Sequence, residues 1–138
     1  MFSSSTALAQ SAPASEALLG AYRSAFESGD VDAIVTLFTS DAELIDGASV
    51  ASGTGEIRSL YHAAFAAGLS GSNLETRIDR DSQLARGIRF VRGVSRISPM
   101  APGEPFCARF VATIGAREGH WRIITFSEAA LACAKAFP

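Results

Sequence analysis

The chain has 138 residues, 48% of them hydrophobic, enough for one domain with one sizeable core and no need of metals or crosslinks. Twelve Lys and Arg against fourteen Asp and Glu give a net charge of -2, with no block of like charge long enough to follow a phosphate backbone, so nucleic acid is not an expected partner. No apolar run approaches the roughly 18 residues of a membrane-spanning helix, so no membrane partner is expected either.

Residues 1–14 are small and polar, and two readings of them stay open. They form a disordered arm or, because Ala7-Leu8-Ala9 matches the small-x-small cleavage pattern, the remnant of a signal peptide that lacks its basic and apolar regions. The first reading places the protein in the cytoplasm, the second in the periplasm or outside the cell. Residues 15–130 are the expected domain and 131–138 a C-terminal tail.

From Ser15 onward Leu18, Tyr22, Ala25 and Phe26 recur at helical spacing, and Gly29 ends that helix. Asp30 is placed to cap a second, short helix with Ile34, Leu37 and Phe38 as its apolar stripe. After Ser40 the period becomes two through Ala42, Leu44 and Asp46, which predicts a first strand ending at Gly47. Small residues from Ala48 to Gly53 predict a loop. Thr54 is then placed to cap a third helix with Ile57, Leu60, Tyr61, Ala64 and Phe65 on one face, closed by Gly68 and Gly71.

Four β-type segments follow, at roughly 73–80, 84–97, 106–115 and 120–128. Pro99, Pro102, Gly103 and Pro105 interrupt them, and Glu118-Gly119 makes a tight turn. Helices first and strands after predict an α+β fold with an antiparallel sheet, since nothing supplies crossover helices for parallel strands. Cys107 and Cys133 lack the spacing of a metal or redox motif. They read as two buried or partly buried thiols, with a disulfide the open alternative, and the isolated His62 and His120 add no metal cluster.

Three segments, SGDVDAIVTLF at 28–38, DAELIDG at 41–47 and GTGEIRSLY at 53–61, together with GHWRIITF at 119–126, resemble one family over residues 16–128. That family is the SnoaL-like and ketosteroid-isomerase-like branch of the nuclear-transport-factor-2-like (NTF2-like) superfamily. The resemblance implies a cone of curved antiparallel sheet packed on three N-terminal helices around a small-molecule pocket, usually as a homodimer paired sheet to sheet. It also implies no cofactor, and a function that is either an isomerase, cyclase or dehydratase type of acid-base enzyme or a non-catalytic ligand-binding or association domain.

The resemblance puts Tyr22 at the position of the oxyanion donor, Asp46 at that of the general base, and Tyr61 at that of a supporting tyrosine. Phe38 stands where a further tyrosine can occur. The family's second oxyanion donor, a protonated carboxylic acid, has no counterpart, Ala112 or Thr113 lying nearest.

Read without the resemblance, Asp46-Gly47 is also a hairpin-turn dipeptide, and both tyrosines are also core residues with satisfied hydroxyls. Glu128 follows Phe126 at strand spacing, so both should line one cavity. The expected site has Asp46 projecting inward among Tyr22, Phe38, Tyr61 and Phe126, with Glu128 near the rim. Phe26, Phe65 and Arg109 are further expected pocket residues, Arg109 as a pocket or rim cation. The expected ligand is a small hydrophobic or partly polar molecule. Phe110, Ile114, Trp121 and Ile123 are expected on the outer sheet face, where a dimer partner would cover them.

Overall fold

The computed structural model describes residues 14–99 and 102–138 in full. Helix α1 is Phe2–Glu27, and its portion before Ala14, where the arm was expected, lies outside the described residues. The helix stops at Gly29, whose φ of +66° is a left-handed conformation that costs glycine nothing and other residues strain. There the Asp30 amide donates back to the Ala25 carbonyl at 2.9 Å. The Asp30 carboxylate then accepts from the Ala33 amide at 3.0 Å and starts α2, Val31–Val35.

Helix α2 is shorter than its apolar stripe suggested, because the sheet captures the chain. The Leu37 carbonyl accepts from the Ile123 amide at 2.7 Å, and Phe38 opens strand β1, Phe38–Asp46. The expected loop after Gly47 holds a short strand, β2, Ser49–Ser52, paired back onto β1 with Asp46 opposite Ser49. Asp46 therefore does close a hairpin. Helix α3, Gly53–Ala64, begins at Ser52 rather than Thr54, and its first turn is held by Glu56, whose carboxylate accepts from the Ser52 amide at 2.9 Å. A π-helical turn, Phe65–Leu69, continues it.

Four long strands complete the sheet: β3 (Asn73–Ala85), β4 (Ile88–Ser98), β5 (Phe106–Arg117) and β6 (His120–Ala130). The order across the sheet is β2-β1-β6-β5-β4-β3. Every neighbouring pair is antiparallel except β1 and β6, which run parallel, a departure from the expected antiparallel arrangement. The link between those two strands is not a short crossover helix but α3 and the rest of the sheet.

Tyr22 and Phe26 of α1 and Ile57 and Tyr61 of α3 pack on the concave face against Leu74, Val91, Phe110, Ala112, Ile114, Ile123 and Phe126. Here the sequence reading of the outer face is overturned. Phe110 and Ile123 are 1% exposed and Ile114 3%, all in this inner core, with Trp121 half-buried against it. The core keeps a glycine for Phe110: a Cβ on Gly93 would meet the Arg77 carbonyl oxygen and lie 2.7 Å from the Phe110 ring.

The convex face carries a second, small cluster of Val94, Cys107 and Ala136. Cys107 and Cys133 form a disulfide, not two free thiols, and it holds the tail back across the sheet. The tail forms one helical turn, α4, Cys133–Ala136. Phe137 lies under the guanidinium groups of Arg77 and Arg96, 5.1 and 4.6 Å from its centroid, and Arg77 donates to the Ala136 carbonyl at 2.7 Å.

Candidate functional site

Between the helices and the concave sheet lies a cavity of about 90 Å³. That is less space than a cavity of roughly 150 Å³ that holds benzene, so a ligand entering without rearrangement is small. Its walls are Leu19, Tyr22 and Phe26 of α1, Leu60, Tyr61 and Ala64 of α3, Leu69 after them, and the inward residues of five strands. Four aromatic rings run along one side in sequence. Phe110 stacks on Phe126 at 5.6 Å, Phe126 on Tyr22 at 5.9 Å, and Tyr22 on Phe26 at 6.0 Å.

The polar groups gather at two points. Tyr22 and Tyr61, 8% and 4% exposed, join their hydroxyls at 2.7 Å. Two hydroxyls sharing one mutual bond keep one O–H hydrogen free to donate elsewhere. The second point is a carboxylate pair: Asp46 of β1 and Glu128 of β6 are register partners on adjacent strands, so their side chains leave the same face.

Their exposures differ in the sense opposite to the one expected. Asp46 is exposed and stands at the cavity mouth, whereas Glu128 is half-buried. Burial first, and then the negative charge of Asp46, push the Glu128 carboxyl up to about 7. Glu128 thus holds a proton for much of its time near neutrality. Burial above all, with the Glu128 charge behind it, also raises the Tyr22 hydroxyl, and burial with Tyr22 as neighbour raises Tyr61, so both remain protonated donors.

Tyr22, Phe26, Asp46, Tyr61, Phe126 and Glu128 all line this cavity. Three expected pocket residues do not. Phe38 is buried behind Tyr61, with ring centroids 6.4 Å apart, and Phe65 packs on Phe26 and Tyr61 at 5.3 and 6.3 Å. Arg109 points away from the cavity: it is exposed on the convex face and pairs with Asp79 at 2.9 Å.

The wall also holds Phe110, which the sequence reading had placed on the outer face, and Leu74, Thr76, Ser95 and Ile97, which it passed over. Thr76 and Ser95 are register partners on β3 and β4. Counting by two from the apolar Leu74 reaches Thr76, and that spacing was the available signal. Among the described residues no group of three or more His, Cys, Asp or Glu side chains comes together as a metal site. None of their helices is long and apolar enough to cross a membrane.

The helices, the sheet order and the enclosed cavity define the cystatin-like, NTF2-like fold, and solved structures share it. An NTF2-like protein with a cystatin-like fold from Novosphingobium aromaticivorans matches 98% of this chain and 93% of its own, with TM-score 0.79 and 19% identity. A ketosteroid isomerase-like protein from Erwinia carotovora atroseptica matches 85% of this chain and 93% of its own, with TM-score 0.71 and 21% identity. A candidate scytalone dehydratase from N. aromaticivorans matches 93% and 88%, with TM-score 0.78 and 14% identity. At such identities the likeness carries the fold alone. No family model and no curated protein matches the sequence.

Proposed function

We propose that the protein is a cofactor-free acid-base enzyme of isomerase, cyclase or dehydratase type, acting on a small, mostly apolar molecule. One observation carries this reading: a buried tyrosine pair with one spare donor shares a small cavity with two carboxylates of unequal exposure. The hydroxyl pair, presented through Tyr22 with Tyr61 behind it, donates to a substrate oxygen. Asp46, the more exposed carboxylate, takes the proton. Carboxyl groups whose surroundings separate them are suited to opposite halves of a proton transfer.

The ketosteroid isomerase-like and dehydratase-like names of two structural neighbours agree with this chemistry. Asp46→Asn should keep the fold and abolish turnover of any substrate found by screening small carbonyl and hydroxyl compounds, while Tyr22→Phe should slow it about 100- to 1,000-fold, as for loss of one positioned donor. Equal turnover in Asp46→Asn and wild type would sink the reading. A second reading, a ligand-binding or association domain without turnover, draws on Ala112, which offers no second donor near the cavity.

The proposal includes a homodimer. Its surface is not the set of residues first expected, since Phe110, Ile114 and Ile123 are already buried, but the convex face beyond the tail, with half-buried Phe90, Val111 and Ile124. Sedimentation at micromolar concentration should give twice the chain mass. A monomer there would remove the dimer.

A further inference from the structure

We propose that the cavity is selective for a small protonated amine, held between the Glu128 and Asp46 carboxylates at one end and the aromatic stack along its side. The proposal shares with the preceding reading only the choice of cavity, and it names the charge of the ligand.

Three features together fit a small amine. The acids are adjacent on β1 and β6, and the space they face contains no Lys, Arg or His among the described lining residues. Arginines elsewhere in the fold are already paired: Arg109 and Arg92 with Asp79, Arg89 with Asp81, Arg58 with Asp32. Two carboxylates side by side on adjacent strands repel each other, and a cation between them turns repulsion into attraction, whereas a carboxylate or phosphate ligand would worsen it.

The wall supplies a second feature, the stacked rings of Phe110, Phe126 and Tyr22, an apolar side for the stem of the amine. Third, the hydroxyls of Tyr22 and Tyr61 are more than nine-tenths buried and have no hydrogen-bond partner among the described residues except each other. Their remaining lone pairs can accept from an ammonium, which brings three donors for two carboxylates and one hydroxyl oxygen. The volume of about 90 Å³ limits the stem to a few carbons.

The groups facing Glu128 are Asp46 from β1, Tyr22 from α1 and Tyr61 from α3, with the uncharged Phe110 opposite it on β5. Binding an ammonium requires Glu128 ionised, so the ligand displaces its proton. With the carboxyl at about 7, affinity should fall about tenfold from pH 8 to pH 6, while an alkylamine, near about 10.4, stays charged throughout.

The test is titration of the full chain with n-butylamine, 1-butanol and butyrate, three probes of similar shape and different charge, by amide NMR shifts and calorimetry. The amine should bind at least tenfold more tightly than either competitor at pH 8, weaken about tenfold at pH 6, and release a proton on binding at pH 6. Glu128→Gln should remove the pH dependence and most of the preference. Asp46→Asn, at an exposed position and so safe for folding, should reduce the preference in the same direction. Equal or tighter binding of 1-butanol or butyrate, or an amine preference unchanged in both variants, would overturn the proposal. Such a failure is separable from failure of the acid-base reading, which is judged by turnover in Asp46→Asn.

Discussion

The two faces of the sheet are made by the same four long strands yet treat the acid at the cavity and the acids on the convex side differently. On the concave side Val91, Phe110, Phe126 and Glu128 face the helices, and the half-buried Glu128 has no cationic partner among the described residues lining the cavity, although Asp81, opposite Val91 farther along β3, pairs with Arg89 at 2.7 Å. On the convex side charges come in pairs: Asp79 accepts from both Arg92 and Arg109, at 2.7 and 2.9 Å, and Arg96 pairs with Glu75. The pairing holds Asp79 below the usual carboxylate range, chiefly through the hydrogen bond from Arg92, while burial and Asp46 push Glu128 the other way. An acid left unpaired in a cavity stores a demand for a partner that the convex face has already met.

The largest effect should come from breaking the concave face. Phe110→Ala removes a fully buried ring that supports both the core and the cavity wall, and should cost about 3–5 kcal/mol in denaturant unfolding. A loss below about 1 kcal/mol would mean that the ring is not part of the packed core. Next comes the staple of the convex face. Cys107→Ser together with Cys133→Ser opens a crosslink between residues 26 apart and should lower stability by about 3 kcal/mol. Because the tail lies on the other face from the cavity, this double variant should leave ligand affinity within twofold of wild type, and a larger change would show that the faces are coupled.

The order of the helices and the long strands was legible in the sequence because their periodicities are punctuated by Gly29, Gly47 and the Pro99–Pro105 region, whereas the four-residue β2 was too short to read and passed for a loop. The face of β5 was not. Cys107, Arg109 and Val111 alternate with Ala108, Phe110 and Ala112, and both sets contain apolar residues, so period two alone does not say which set turns inward. Reading Arg109 as a pocket cation and Phe110 as a dimer contact was one parity error made twice.

A bulge hides the answer in β6 as well. The register shifts where Ile114 pairs with Ile123 after Thr113 pairs with Thr125, so Ile123 and Phe126, three apart, both face inward. The tail was illegible for another reason. Its place depends on a disulfide whose partners are joined by tertiary structure and not by spacing. By contrast Asp46, Glu128, Tyr22, Tyr61 and Phe126 could be gathered from strand and helix spacing, though not their relative depth.

The smallest of the expected stability effects is also specific to the acid pair. Glu128 has a folded value raised from 4.5 to about 7, so between those limits the folded state binds its proton more tightly than the unfolded state does. Stability from this group is therefore greatest below pH 4.5 and declines as pH rises through 7, by at most about 3 kcal/mol and less to the extent that solvent screens the half-buried carboxyl. Glu128→Gln should flatten that part of the profile and make the variant relatively more stable at pH 8.

Direct titration of the Glu128 side-chain carboxyl by carbon-13 NMR, in wild type and in Asp46→Asn, tests the central claim most closely. The account predicts a midpoint near 7 in wild type and a lower one in Asp46→Asn, because removing the neighbouring charge leaves only burial to raise it. A wild-type midpoint near the ordinary 4.5, unmoved by Asp46→Asn, would contradict a half-buried, unpaired acid coupled to Asp46 at the cavity.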